Sequence, residues 1–306
     1  MDAGDLVDRC KLTTNTRNLV PGIFTYIHIK MNSQLDHRAF SPITYSCYTK
    51  KIREGEQFIP DHVFSFQISG SLTMNDGQNV YSFDENSFRL TRRNSLMKFL
   101  KQPGPSGAYR NLSVFMSQQL LKELSFEYGY RSEMKFDGPT VLAVAEHTLL
   151  RSYFDSLQPY DELIGHANPV LTTMKVKELV VLLLQLQPNF KNLLFNFSEP
   201  GKLDLEAFMN QNFRFNVSLE RFAYLTGRSL STFKRDFEKV YSCKPGKWLQ
   251  QRRLQEAYFL IKDKRMRPIE VYTEVGFEDL SHFSYAFKKQ YGSAPGKLNE
   301  VRSALI

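Results

Sequence analysis

The chain has 306 residues, 42% hydrophobic and 24% charged, with 40 Lys and Arg against 32 Asp and Glu. This balance excludes a disordered or collagen-like chain, and the length allows about two domains. Three cysteines, Cys10, Cys47 and Cys243, stand far apart, which excludes a disulfide scaffold or a cysteine-rich zinc module.

The N-terminus is acidic and no apolar run follows it, so no signal peptide is expected. The longest aliphatic run, Leu179–Leu184, is too short for a bilayer span. The expectation is a soluble, cytoplasmic protein without membrane contact. The formal net charge of +8 is unevenly placed. Residues 201–306 carry 19 basic and 12 acidic side chains, whereas residues 1–200 carry 21 and 20. A basic C-terminal domain on a near-neutral partner points to a polyanion-binding module attached to something else.

In chain order, the first half reads as β. Short alternating or aromatic-rich runs occur at Gly22–Met31, Ile43–Lys50, His62–Ile68, Leu72–Met74, Val80–Phe83, Ser87–Thr91 and Asn111–Met116. Turn chemistry separates them, as at Asn75-Asp76-Gly77 and Pro103–Gly107. Close, regular spacing of short strands predicts a small barrel or sandwich. Its aromatics (Phe24, Tyr26, Phe58, Phe64, Phe66, Phe83) either form a core or line an apolar ligand pocket. Arg89, Arg92 and Arg93 either serve an anionic effector or sit at solvated strand ends. His28, His37 and His62 lie here too, but the close His-x-His pair of a cupin metal site is absent, so no metal or cofactor is expected. Cys47, in a strand, reads as a buried, inert thiol. No phosphate-cradling loop, nucleophile elbow or paired catalytic carboxylate stands out.

From about residue 117 the pattern becomes helical, with helices predicted at Ser117–Phe126, Thr140–Leu157 and Lys175–Leu186. Val176, Leu179, Val180, Leu183 and Leu184 give the last a wide apolar face, which either packs under the barrel or lies in a dimer seam. Phe197–Gly201 reads as a boundary. The expected division is a regulatory domain over 1–198, with its barrel at about 20–116 and helices at about 117–190, and an all-α domain over 199–306.

Two helix-turn-helix units are predicted in the second domain, at about 218–240 and 268–291. In the first, Ser218 caps Leu219–Leu225, Gly227 makes the turn, and Ser229 caps Leu230–Val240. Leu230, Phe233, Phe237 and Val240 are spaced to face inward, leaving Ser231, Thr232, Lys234, Arg235 and Glu238 outward. In the second, Ile269–Val275 precedes Gly276, and Phe277, Phe283, Phe287 and Tyr291 lie at core spacing in the segment that follows. Pro245–Ile261 between the units reads as one long spacer helix. A polar and basic helix after a glycine turn is what DNA recognition needs, because small polar and cationic side chains must reach base edges while the back is pinned. Two such helices on a rigid spacer suit successive major grooves on one face of DNA, about 34 Å apart.

Gly276-Phe277, Ser281-His282-Phe283 and Phe287-Lys288-Lys289-Gln290-Tyr291-Gly292, with Pro295, resemble the C-terminal signature of AraC/XylS-type transcription regulators. Ala223, Gly227, Ser229, Phe233, Arg235, Phe237, Arg253, Leu254 and Ala257 match its upstream part, over about residues 205–297 in all. The resemblance implies a seven-helix DNA-binding domain with two helix-turn-helix motifs. It also implies an N-terminal regulatory domain, often a cupin-like barrel followed by dimerising helices. Tyr272 replaces a usual small Ala, Ser242 a usual Gly, and Leu298-Asn299 the common Tyr-Arg. The implied function is sequence-specific transcription regulation without enzymatic activity. The partner is double-stranded promoter DNA, with RNA polymerase, a second copy of the chain, and a small-molecule or protein effector as further candidates.

By this resemblance the DNA-facing residues are Ser231, Thr232, Lys234 and Arg235 in the first unit and Leu280, Ser281, His282, Ser284 and Tyr285 in the second. Lys288 joins them as a backbone contact. Arg235 has an alternative in an ion pair with Asp236 or Glu238, and His282 in helix packing. The competing functional class is a cupin-type metal- or small-molecule-binding enzyme with an accessory DNA-binding domain. It requires the clustered His and carboxylate ligands that this chain lacks.

Overall fold

Side-chain alternation sorts the first half of the chain into layers. The computed structural model describes residues 42–157 and 169–302, so the expected strand Gly22–Met31, along with His28 and His37, lies outside the described residues. The strands are β1 (Ile43–Tyr48), β2 (Ile52–Ile59), β3 (His62–Ser69), β4 (Ser71–Asn75), β5 (Val80–Phe83), β6 (Ser87–Thr91), β7 (Ser95–Gln102), β8 (Tyr109–Met116) and β9 (Val141–Val144). They form a five-stranded sheet, ordered β1-β8-β3-β6-β9, and a four-stranded sheet, ordered β2-β7-β4-β5. Every pairing is antiparallel. No strand of one sheet pairs with a strand of the other among the described residues, so the expected barrel is an open one.

In β3, Phe64 and Phe66 point to one side, where Phe88, Leu90, Leu112 and Val114 join them. Against that face pack α1 (Gln118–Tyr128), α2 (Thr148–Leu157) and α3 (Pro169–Leu186). The apolar face of α3 is therefore used under the sheet, through Val176, Leu179, Val180 and Leu183. Val63, Tyr109 and Val141 point the other way and meet Leu72, Met74, Phe83 and Met97 of the second sheet. Phe58 and Leu96, on the outer face of that sheet, belong to the core of the C-terminal region. The order of layers is thus helices, sheet, sheet, C-terminal helices.

Three strands depart from the sequence reading. β2 and β7 were not expected, and Val141–Val144 is a strand where a helix over Thr140–Leu157 is predicted. Leu, Met and Lys in β7 favour helix locally, but β2 and β4 flank the segment and take up its backbone groups. β9 completes the edge beside β6. Cys47 is half-buried and disulfide-bonded, in place of the expected inert thiol.

The three arginines are not at solvated strand ends. Arg89 is buried and donates to Asn111 Oδ1 at 2.7 Å and Gln67 Oε1 at 3.3 Å. Arg92 donates to the Gly138 carbonyl at 2.6 Å. Arg93 reaches the Asn196 and Ser198 carbonyls at 2.9 and 2.8 Å, pinning the connection toward the C-terminal helices.

His62 is 2% exposed. Burial first, then the charges of Arg93 and Arg92, hold its imidazole down at about 3. The unfolded chain takes up that proton near 6.5 while the folded one stays neutral. Stability is therefore expected to fall as pH drops from 6.5 toward 3, by about 1.4 kcal/mol per pH unit from this group. The neighbouring Asp61 carboxyl, pushed up by its own burial, acts in the opposite sense, so the contribution is read by difference. Chemical denaturation across this range should show His62→Gln with a shallower acid slope than the parent. An unchanged slope would remove the histidine from the account.

Beyond α3 come a 3-10 turn at Pro188–Phe190 and the short α4 (Lys191–Leu194). Then follow α5 (Leu205–Asn212), α6 (Leu219–Leu225), α7 (Leu230–Tyr241), α8 (Pro245–Lys262), α9 (Pro268–Glu274) and α10 (Leu280–Tyr291), with a 3-10 segment at Pro295–Arg302. They bury two separate cores. One holds Phe213, Phe215, Phe222, Phe233 and Phe237, and the other Leu254, Val271, Val275, Phe283 and Phe287. Among the described residues no helix is long and apolar enough to cross a membrane, and no group of three or more His, Cys, Asp or Glu is placed to hold a metal ion.

Candidate nucleic-acid interface

The first unit is α6–turn–α7. Ser218 Oγ and Ser229 Oγ each accept a backbone N–H at the third helical position, from Arg221 and Thr232, and so fix where both helices start. Gly227 bridges them with φ +64°, and a Cβ there would lie 2.5 Å from the Gly201 carbonyl carbon. Phe233 and Phe237 are fully buried and pin the back of α7. Val240 is the exception among its expected inward residues: it is 46% exposed.

Ser231, Lys234 and Arg235 stand exposed on the opposite side. Thr232 is half-buried, and its Oγ1 lies 3.0 Å from Ser229 Oγ, within the cap. The Arg235 side chain is 67% exposed, and its Nε is 3.8 Å from Asp236 Oδ1. That is the ion pair expected as the alternative for Arg235, and Asp236 shares it with Arg228, whose Nε lies 3.1 Å from Oδ2 and whose hydrogen bond holds the carboxyl below the usual range. Arg228 also donates to the Leu203 and Thr226 carbonyls, at 3.0 and 2.8 Å. Arg228 thus stabilises the turn, while the Arg235 guanidinium, at the edge of the same carboxylate, stays mostly exposed. Arg228 lies outside the residues expected at the interface, and its place directly after the turn glycine is the signal in the sequence that marks it.

The second unit is α9–turn–α10. Asp279 Oδ1 accepts the His282 N–H at 2.7 Å and caps α10. Ser281, His282, Tyr285 and Lys288 are exposed, while Leu280 and Ser284 are half-buried. His282 is therefore not a buried packing residue, although its ring lies 5.6 Å from that of Phe277. Tyr285 is 69% exposed. Phe283, Ala286 and Phe287 pin the other side of the helix. Tyr272, in the usual small-residue position, is half-buried against this core.

The spacer helix α8 joins the two cores, contributing Leu249 to the first and Leu254, Ala257 and Ile261 to the second. Arg253 on it donates to the Phe213 and Phe215 carbonyls, each at 2.8 Å. Glu256 is paired with Arg214 and with Arg252. Two capped helices thus display short polar side chains, one arginine and four exposed lysines (Lys234, Lys239, Lys288 and Lys289), from positions held by separate cores. Chemically, such an array can donate hydrogen bonds to phosphates and base edges.

Residues 222–300 match the family described as "Helix-turn-helix domain", and residues 62–195 match "ExsA N-terminal regulatory domain". The chain is 23% identical over 242 residues to the virulence regulon transcriptional activator VirF of Yersinia enterocolitica, covering 78% of this chain and 88% of that one. It is 26% identical over 237 residues to the HTH-type transcriptional regulator ExsA of Pseudomonas aeruginosa, covering 75% and 83%. Among solved structures it is similar to ToxT from Vibrio cholerae, at 15% identity, a TM-score of 0.38, and coverage of 83% and 96%.

Proposed function

This chain belongs to the AraC/XylS-type helix-turn-helix transcription regulators, and from that premise we propose that α7 and α10 read two successive major-groove segments of its promoters. The observation that carries the reading is the pair of capped helices whose outward turns hold Ser231, Lys234 and Arg235 in one and Ser281, His282 and Tyr285 in the other. Arg235 is assigned to a guanine edge, which a guanidinium can fork onto at O6 and N7. Ser231 and Thr232 adjust to several bases, and Lys234 and Lys288 anchor on phosphate. Leu280, Ser284 and Tyr285 supply apolar and hydroxyl contacts, including thymine methyls, and His282 a phosphate contact. The division at residues 198 and 199 makes the N-terminal region the regulatory part. There an effector or a second copy of the chain sets activity, and the relative's name as an activator supports recruitment of RNA polymerase. The site of action in this reading is the cytoplasm, and no catalytic step belongs to it.

Genome-wide mapping of DNA bound by the full chain would supply its sites, and titrations on those sites test the assignments. Affinity should fall steeply with salt. Arg235→Ala should weaken the mapped sites about 10- to 100-fold and random DNA far less. Lys234→Ala should weaken both alike and lower the salt slope by about one. Equal loss on specific and random DNA for Arg235→Ala would end its base-reading role.

A further inference from the structure

The two units meet at a joint, and the N-terminal domain reaches into it. Its centre is the segment Phe213–Phe215 between α5 and α6. From the spacer helix, Arg253 ties down the carbonyls of Phe213 and Phe215. From the second unit, the Gly276 turn comes so close that a Cβ there would lie 2.5 Å from the Arg214 carbonyl oxygen. The Phe215 ring is buried in the core of the first unit.

Two elements of the N-terminal domain touch the same place. The β4–β5 turn brings Gly77 against the Phe215 ring: a Cβ at Gly77 would lie 3.0 Å from it. In β7, Lys98 extends its ammonium across the seam to the end of α9, donating to the Glu274 carbonyl at 2.6 Å and lying 3.4 Å from that of Thr273. The same nitrogen sits 5.8 Å from the centre of the Phe215 ring. The last carbonyls of a helix have no partner within it and carry the negative end of its dipole, so a half-buried ammonium is well matched to them. On the first unit, Arg221 of α6 lies 3.7 Å over the ring of Phe58 from β2, which is itself part of that unit's core. One sheet of the N-terminal domain therefore holds both helix-turn-helix units. These contacts leave the outward side chains of α7 and α10 uncovered.

We propose that Lys98 is a positioning residue for DNA recognition: by tying the end of α9 to the Phe213–Phe215 joint, it makes the N-terminal domain part of the device that sets the angle between the two recognition helices. Selectivity for the spacing of two half-sites then depends on a residue far from the DNA. Any change in the sheet that shifts β7 is transmitted to the second unit through Lys98. This rests on the DNA-binding reading above.

The test uses the full chain and DNA carrying two half-sites from its mapped promoters, with the separation varied by a few base pairs either side of the natural one. Lys98→Met, which keeps the chain length but loses charge and donors, should bind the natural spacing about tenfold more weakly and show a flattened spacing profile. Its affinity for a single half-site should stay within about twofold of the parent's, and its melting curve should be unchanged. Lys98→Arg, keeping charge and donors, should restore most of the preference. A parent-like spacing profile in Lys98→Met overturns the proposal. So does an equal loss on single and paired half-sites, which marks general destabilisation. Failure of the parent chain to bind any specific DNA would overturn the underlying reading, and is distinguishable because it appears before any substitution.

Discussion

Gly276→Ala is expected to destabilise the C-terminal region by about 3–4 kcal/mol and to reduce specific DNA binding by well over tenfold. Two separate costs combine. The residue holds φ +89°, which an L side chain rarely adopts, and the added methyl would meet the Arg214 carbonyl oxygen at 2.5 Å. That oxygen belongs to backbone and cannot swing aside like a side-chain tip. Relief requires moving the Phe213–Phe215 segment, which Arg253 holds by two hydrogen bonds, or opening the turn that presents α10. Either movement displaces one recognition helix from the other. Gly246→Ala is the control: Gly246 lies in α8 without a positive φ, and a Cβ there has open space. It should be neutral or stabilising by a few tenths of a kcal/mol. Calorimetry with DNA titrations would settle both, and a Gly276→Ala protein melting and binding like the parent would refute the argument.

Phe237→Ala should cost about 3–5 kcal/mol, because a fully buried aromatic leaves a cavity the surrounding rings cannot fill. Its ring centre lies 5.6 Å from that of Phe233, 4.5 Å from that of Tyr241 and 5.6 Å from that of Trp248. Trp248 is the chain's single tryptophan, so its emission should shift to the red as the cluster loosens. The two units bury separate cores, so the damage should be local. Hydrogen exchange is expected to quicken across α6 and α7 while α9 and α10 keep their protection. Equal loss of protection in both units would show that they unfold as one body.

The recognition elements were legible in the sequence because the forces that define them are local. Gly227 and Gly276 mark the turns, Ser218 and Ser229 bond three residues ahead, and the phenylalanines of α7 and α10 repeat at helical spacing. The observed helices, Leu219–Leu225 with Leu230–Tyr241 and Pro268–Glu274 with Leu280–Tyr291, fall almost on the predicted bounds. The β region was less legible. The segments that became β2, β7 and β9 carry charge, glycine or helix-favouring residues, and only their partner strands make them strands.

What the sequence by itself determined is the pair of helix-turn-helix units, most of their outward side chains (Ser231, Lys234, Arg235, Ser281, His282, Tyr285 and Lys288, but not the half-buried Thr232, Leu280 and Ser284) and the concentration of positive charge around them. Tertiary structure alone decided what each isolated cation does. Arg89 is buried between two neutral amides, Arg228 shares Asp236 with the mostly exposed Arg235, and Lys98 caps a helix 176 residues further along the chain. The reason is physical: a cap or helical face is fixed by neighbours three or four residues away, whereas the partner of a long charged side chain is whatever the fold brings within about 3 Å.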